Sequence, residues 1–481
     1  MKNDLKCDLW IDNASVSAER YVEVLDPGRT ADVVGLLAQG TPADVERAVQ
    51  SAHRAFGEWR TTSFETRAAL MTKAAALIES MAGDVVELMA RESGMLVPTN
   101  RAEIGMAAAI VRDNIDHSQH FLDPAQYEDE ASWVGIEKRP VGVIAAIVPW
   151  NAPVILTMRK LAPALLCGNT IVIKPAPSAP FGIAQLLAAM AGLFPHGVIN
   201  VIHGDADAGA ALVSHPLVRK VSFTGGGNVA RDIMKRAADS IKSVQFELGG
   251  NDPAIVLEDA DLDDCVPKIV GGVFRRSGQF CFAIKRLYVN SAIYDSFVER
   301  MAAQVDTFRI GHPLTAGVTF GPMNNDRQYR YVKGLIERTR AAGADVMRLG
   351  KAVDESIWNT GYYLPPTLVR NAAADLEVVT SEQFGPVIPV VRVDSDEEAL
   401  RYANDSELGL GSSVWSRDAD RAVRIARRIE AGMTFINQAG TSRLGQKNMP
   451  FGGVKQSGIG RESSQVGLAE YVENHAINLH K

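Results

Sequence analysis

Hydrophobic and polar positions change their period twice along the chain. Between residues 41 and 112 apolar residues recur at three- and four-residue spacing among Ala, Leu, Met and charged residues, as over 68–90. That spacing predicts amphipathic helices. Residues 132–140 (SWVGIEKRP) alternate with a period nearer two and predict a strand. From residue 141 short apolar runs alternate with helical stretches. The runs predict strands over 141–149, 170–174, 198–202 and 220–224, and helices over 153–166, 181–193, 208–213 and 228–238. Parallel strands need long crossovers, so this texture predicts a doubly wound parallel sheet. Ligands on such sheets collect at the carboxyl ends of strands, which directs attention to Pro149, Lys174, Gly204 and Gly225. A second α/β stretch follows the glycine pair Gly249 and Gly250 and runs to about residue 453. It carries helices over 294–305, 326–341 and 419–431 and a strand over 387–393, and residues 466–481 leave it as an apolar-alternating tail.

Composition narrows the class. A chain of 481 residues exceeds one ordinary core, so two or three subdomains are expected. Fifty basic against 57 acidic residues give a net charge of −7, which lacks the electrostatic footprint of a nucleic-acid binder. The most apolar run, 141–150, is broken by Gly142 and Pro149 and falls short of the roughly 20 residues a membrane span needs. The start, MKNDLKCDLW, has no apolar core of a secretory signal, and the four cysteines contain no Cys-x-x-Cys pair. A cytoplasmic enzyme in a reduced compartment is expected, with no nucleic-acid or membrane partner.

Three local motifs carry candidate chemistry, and each alone has an ordinary structural reading. Glu247 precedes Leu248, Gly249 and Gly250 at a strand end, where a glutamate is usually a solvated turn residue. Cys281 lies between Phe280 and Phe282, where a free thiol usually packs as a small hydrophobe. Asn151 follows Pro149 and Trp150, where it could simply cap the next helix. His117 and His120 have Asp113, Asp116 and Asp123 nearby but no third ligand group at metal spacing, so they read as a solvated helix face and no metal is expected.

In combination the motifs carry more. Glu247-Leu-Gly-Gly, Gly278-Gln-Phe-Cys281 and Glu382-Gln-Phe384-Gly385-Pro386 follow Pro149-Trp150-Asn151, Lys174-Pro175 and Phe223-Thr224-Gly225. Asn437-Gln438, Pro450-Phe451-Gly452-Gly453 and Lys455-x-Ser457-Gly458-x-Gly460-Arg461-Glu462 complete the series. From about Ile11 to the end, this order resembles the NAD(P)-dependent aldehyde dehydrogenase superfamily.

The resemblance implies an α/β fold with three parts. These are a Rossmann-type cofactor domain (1–120 and 141–249), an α/β catalytic domain (250–453), and a small β oligomerisation element (121–140 and 466–481). In the family that element bridges subunits, so a homodimer or homotetramer is expected. The resemblance casts Cys281 as the thiolate that adds to an aldehyde, and Asn151 with the Cys281 N–H as the oxyanion donors. Hydride then passes to the nicotinamide and leaves a thioester, which Glu247 hydrolyses by activating water. Relatives that transfer the acyl group to coenzyme A generally lack this glutamate, so a free acid is the expected product.

For the cofactor, Ile147, Val148, Pro149 and Trp150 would line the cleft, with Gly204, Phe223, Thr224, Leu248 and Gly249. Gly225 and Gly226 would open the helix that receives the pyrophosphate. Lys174 would hold the adenine ribose, and Glu382 the nicotinamide ribose with Phe384 packed nearby. NAD-preferring relatives often carry a glutamate where this chain has Pro177, so the expectation is NAD ahead of NADP with dual use open. Phe280 and Phe282 point to a partly aromatic substrate tunnel. Arg159 resembles an arginine that grips the distal carboxylate in succinate-semialdehyde enzymes, although a helix-surface arginine has the same pattern. Asn437 is a further candidate for the substrate pocket, and Arg443 a second candidate for the carboxylate. Two other function classes remain at this point: a hydrolase cleaving esters with the same cysteine, whose rate a cofactor would only modulate, and a non-catalytic scaffold.

Overall fold

The computed structural model describes residues 5–481; residues 1–4 of the expected cofactor domain lie outside the described residues. Two large sheets organise the chain. The first has eight strands in the order Gly458–Ile459, Ser243–Glu247, Val218–Thr224, Val143–Ile147, Thr170–Lys174, Ile199–Val201, Leu9–Ile11, Ala14–Val16. Its five middle strands, from Ser243–Glu247 to Ile199–Val201, are parallel. Alternate residues of one strand enter different cores. Ile144, Ala146, Ile171 and Ile173 pack with helix Pro153–Leu166, whereas Val143, Ala145 and Val172 pack on the opposite face. Burial on both faces is why these strands read as continuous apolar runs rather than alternating ones.

The second sheet has seven strands in the order Asp345–Arg348, Thr367–Arg370, Val387–Val393, Ile284–Asn290, Asp252–Val256, Ser413–Trp415, Phe435–Ile436. All its neighbours are parallel except the edge strand Asp345–Arg348. The tail strand Val472–His480 pairs antiparallel along the whole of Ser132–Pro140, which also pairs with Ala125–Glu128. No described helix is long and apolar enough to cross a membrane.

Three expectations need correction, and one element went unannounced. The helix over 68–90 is two helices, Phe64–Ser80 and Ala82–Ser93. Met81 ends the first, its N–H donating back to Leu77, and its carbonyl accepts from Asp84 to start the second. The helix over 419–431 stops at Ala426, because Arg428 and Ile429 bond three residues back instead of four and tighten the turn. Before residue 41 the chain holds a hairpin, Tyr21–Asp26 with Arg29–Ala38, that the pattern does not announce; two register shifts break its alternation. The His117 region is not a solvated face. On helix Val97–Phe121, Asp113 is buried and takes two hydrogen bonds from Arg443, and His117 Nε2 meets the Lys447 carbonyl at 2.6 Å. The face docks the short helix Arg443–Asn448. No cluster of metal-ligating side chains exists among the described residues.

Candidate active site

Cys281 sits on a loop whose shape is dictated by backbone sterics. Arg276 and Ser277 both adopt left-handed backbone (φ 55° and 54°), and Gly278 follows at φ 74°. Left-handed non-glycine residues cost about 1–3 kcal/mol each, so surrounding contacts must hold them. Ser277 Oγ donates to the Gly321 carbonyl at 2.9 Å. Arg276 donates to the Asn151 carbonyl and pairs with Glu103 at 2.7 Å, both side chains being almost fully buried. Glu103 in turn accepts from the Val154 and Ile155 amides, capping helix Pro153–Leu166 in the absence of a local side-chain cap. A Cβ on Gly278 would lie 2.3 Å from the Gly385 carbonyl oxygen, so only glycine fits there. The loop therefore turns tightly between the catalytic sheet and the end of strand Val143–Ile147, and brings Cys281 beside Asn151. The Asn151 amide donates to the Gln279 carbonyl at 3.1 Å.

Glu247 ends strand Ser243–Glu247 and is 2% exposed, with neither carboxylate oxygen hydrogen-bonded. Burial, reinforced by the neighbouring Glu462, pushes its pKa well above the usual carboxylate range. Lys160, Arg159 and Arg461 act against that shift. Glu462 is itself fully buried: Lys160 Nζ donates to its Oε1 at 2.6 Å, while Oε2 stays unpaired 3.8 Å from Arg159. Burial likewise pushes the Cys281 thiol up to about 12; Glu247 and Asp252 add to the rise, and Lys285 and Arg159 oppose it.

The cofactor candidates lie along the carboxyl edge of the first sheet. Helix Gly227–Ala238 starts at Gly226 with no side-chain cap, and a Cβ on Gly226 would meet nothing within 4 Å, which leaves amide donors open. Lys174 is buried at its strand end, and desolvation lowers it to about 8 despite the nearby Asp205 carboxylate. Thr224 Oγ1 is buried with no hydrogen-bond partner at the adjacent strand end. Pro177 is exposed. Across the cleft Glu382 accepts from the Gly250 amide at 3.2 Å and pairs with Lys285 at 3.3 Å. A Cβ on Gly249 would sit 2.0 Å from the Glu382 carboxylate. Trp150 and Phe384 meet edge to face at 5.8 Å. Open helix amides, an orphaned hydroxyl and a carboxylate held over bare glycine fit a dinucleotide. Ile147, Val148, Gly204, Phe223 and Leu248 belong to the same sheet edge or to the loops leaving it.

A cavity of about 440 Å³ opens on the other side of Cys281. Asn151, Cys281, Phe280, Phe282, Arg159 and Arg275 line it. The aromatic wall is built from Phe282 edge to face with Phe280 (5.3 Å) and Phe451 (5.7 Å). Arg159 is not on a helix surface: its side chain is 12% exposed, its guanidinium lies 4.0 Å from the Phe451 ring centre, and its buried Nε has no partner. Arg275, stacked on Phe280 at 5.1 Å, stands exposed at the rim. Two candidates fall away. Asn437 is consumed in two hydrogen bonds with the Ser416 backbone and is absent from the cavity wall. Arg443 is committed to Asp113, outside the cavity. Sequence reasoning gave no role to Arg275, Arg276, Glu103, Lys285 or Glu462. The readable signal was a pair of basic residues in two apolar segments, Arg275-Arg276 and Lys285-Arg286, which demand buried partners.

Comparison with known proteins agrees with this geometry. Residues 10–477 match the model of the aldehyde dehydrogenase family. The chain is 36% identical over 475 residues to 3-sulfolactaldehyde dehydrogenase of Pseudomonas putida, covering 98% of this chain and 96% of that protein. It is 35% identical over 470 residues to the NADP(+) succinate-semialdehyde dehydrogenase of Escherichia coli K12, covering 96% and 95%. Among solved structures, betaine aldehyde dehydrogenase of Staphylococcus aureus in complex with NAD+ superposes with a TM-score of 0.93 at 30% identity, covering 98% and 94%. The relatives are oxidoreductases, and nothing among them supports the ester-cleaving or scaffold alternatives. On this evidence the chain belongs to the aldehyde dehydrogenase family and is an NAD(P)-dependent enzyme that oxidises an aldehyde to a carboxylic acid.

Proposed function

We propose that this enzyme oxidises short aldehydes carrying an anionic group at the far end, with Cys281 as nucleophile, Asn151 as oxyanion donor and Glu247 as general base. One observation carries the substrate class. The Arg159 guanidinium is buried in the wall of the Cys281 cavity with an unpaired Nε, and its one carboxylate neighbour, Glu462, lies 3.8 Å away and is already bonded to Lys160. A desolvated cation with free donors is costly unless a ligand supplies the acceptor. Arg275 at the rim adds a second positive charge on the way in. The sulfonate and carboxylate aldehydes named in two relatives share this chemistry.

In this reading the aldehyde carbon meets Cys281 Sγ, and the charge that develops on its oxygen is taken up by the Asn151 amide and the Cys281 N–H. Loss of one such donor typically costs about 10²–10³ in rate. The bound nicotinamide supplies the hydride acceptor. Open amides at Gly226, Lys174 and Glu382 would hold its phosphates and riboses. Glu247, whose pKa burial raises above the usual carboxylate range, then takes a proton from the water that attacks the Cys281 thioester. Lys160 favours the charge that Glu247 carries when ionised, and Glu462, held by Lys160, opposes it.

NAD remains the favoured cofactor. Pro177 cannot repel a 2′-phosphate, but the Asp205 carboxylate beside Lys174 opposes one, and Arg20 (3.4 Å away) only partly offsets it across solvent. We also read the first sheet with its helices as the cofactor half (5–120 and 141–249), the second as the catalytic half (250–453), and the three-stranded sheet as a subunit-bridging element, giving a cytoplasmic homodimer or homotetramer.

The test is a panel read at the reduced-nicotinamide absorbance band. Succinate semialdehyde, glutarate semialdehyde and 3-sulfolactaldehyde are compared with neutral aldehydes of equal length. Higher kcat/KM for the anionic members, lost in Arg159→Met, is the expected result; equal rates for charged and neutral aldehydes would remove the substrate assignment.

A further inference from the structure

Lys285 opens strand Ile284–Asn290 four residues after Cys281, and its side chain is 2% exposed. A lysine this deep needs acceptors, and the structure gives it three. Its Nζ donates to the Cys281 carbonyl at 2.5 Å and to the Phe280 carbonyl at 3.2 Å, and it pairs with Glu382 at 3.3 Å. Asp252, at the start of the neighbouring parallel strand, is fully buried within reach of the same ammonium. Burial raises the Asp252 carboxyl to about 7, and Lys285 is the strongest influence pulling it back. One cation thus sits under the nucleophile's own peptide, surrounded by carboxylates it cannot fully neutralise from one side.

We propose that Lys285 is a positioning residue that both fixes the Cys281 loop and supplies the positive charge that stabilises the Cys281 thiolate. The inference rests on the reading of Cys281 as nucleophile. A thiolate is required for addition to a carbonyl, and a thiol in an apolar pocket resists ionising. Of the other charged groups, Glu247 and Asp252 oppose ionisation and Arg159 favours it from across the cavity, whose wall also carries Arg275 and the paired Arg276 and Glu103. Arg159 is at the same time the group proposed to hold the substrate's anion, which would spend its charge once substrate is bound. Lys285 reaches the nucleophile from the protein side, behind the loop, where substrate does not compete for it. Its ion pair with Glu382 also ties the nucleophile loop to the residue expected to hold the nicotinamide ribose.

The experiment measures the rate of alkylation of Cys281 by iodoacetamide against pH in the full-length enzyme without substrate. Peptide mass mapping distinguishes Cys281 from the buried Cys7, Cys167 and Cys265. Four proteins are compared: wild type, Lys285→Met, Lys285→Gln and Lys285→Arg. Gln keeps hydrogen-bond donors for the two carbonyls and removes the charge; Arg keeps the charge. An opposite charge close beside an ionisable group moves its midpoint by about one to three pH units. At a fixed pH below the midpoint the alkylation rate is therefore expected to fall by about ten- to a thousand-fold in Met and Gln and to stay near wild type in Arg, with the rate of the hydride burst falling in parallel. If Lys285→Met does not fold, Lys285→Gln carries the test alone. A wild-type alkylation rate in folded Lys285→Gln overturns the proposal, since hydrogen bonding without charge would then suffice. Failure of the underlying reading looks different: wild-type enzyme alkylated at Cys281 would keep its turnover.

Discussion

Replacing Glu247 by Gln separates the two demands that the site makes on one carboxyl group. The side chain is 2% exposed, both oxygens lack partners, and burial beside Glu462 raises its pKa. In the unfolded chain a glutamate titrates near about 4.3. Between that value and the raised folded value, the native state keeps a proton that the unfolded chain has lost. Stability therefore falls as pH rises through that window, at up to about 1.4 kcal/mol per pH unit for this one group. The penalty is absent below the window and fully developed above the folded pKa. Gln preserves the shape and has no charge to desolvate, so Glu247→Gln should match wild type near about pH 4 and become more stable than it as pH rises past neutrality. Catalysis should move the other way. Loss of a general base costs about 10²–10⁴ in rate, and only for thioester hydrolysis. Stopped-flow absorbance should show a full burst of reduced nicotinamide followed by slow turnover, and denaturant titrations across pH should show the gain in stability. Loss of the burst would mean that Glu247 acts before the thioester, and an unchanged stability–pH profile would refute the account of its burial.

Other perturbations test separate parts of the site. Arg159→Met should lower kcat/KM for an anionic aldehyde by about 2–5 kcal/mol, roughly 30- to several-thousand-fold, as expected for removing one partner of a desolvated charge pair. Steady-state kinetics should find a much smaller loss with a neutral aldehyde. Arg276→Met leaves Glu103 buried without its cation and should cost about 3–5 kcal/mol in denaturant titration. Lys174, lowered to about 8, is charged below that pH and neutral above it, so calorimetry should find NADP binding weakening as pH rises through 8 while NAD binding changes less. Asp205→Asn removes the charge opposed to a 2′-phosphate and should improve the NADP to NAD ratio of kcat/KM by a few-fold, the modest size reflecting an exposed carboxylate. Deleting residues 472–481 strips the partner of Ser132–Pro140 and, on the proposed bridging role of that sheet, should give smaller species than the intact chain in sedimentation velocity.

The legible parts of the molecule were those in which local pattern and burial agree. Strands Thr170–Lys174 and Val387–Val393 and helices Pro153–Leu166, Tyr294–Val305 and Asp326–Ala341 follow from apolar runs and helical spacing at their stated bounds. The break at Met81 was only weakly marked, by Gly83 two residues on, and the apolar spacing runs through it. Candidate residues on local motifs (Cys281, Asn151, Glu247, Glu382) could be named in advance, and the structure brings Cys281 and Asn151 onto one cavity wall. Their supporting charges could not be named. Lys285 reaches Glu382 across 97 residues, Arg276 reaches Glu103 across 173, and Lys160 reaches Glu462 across 302. An apolar setting marks such a lysine or arginine as needing a buried partner, but nothing local says which distant residue supplies it. Asn437 and Arg443 failed for the converse reason: they are tied to Ser416 and Asp113, which adjacency in sequence does not reveal.

The central claim is that Cys281 carries the substrate as a thioester until Glu247 lets water in. Mixing Glu247→Gln with succinate semialdehyde and NAD+, quenching in acid after the burst and mapping peptides by mass spectrometry tests it directly. The account predicts a succinyl group on Cys281 in near-stoichiometric yield. Reduced nicotinamide formed with no acyl group on Cys281, or with the group on another residue, would contradict it.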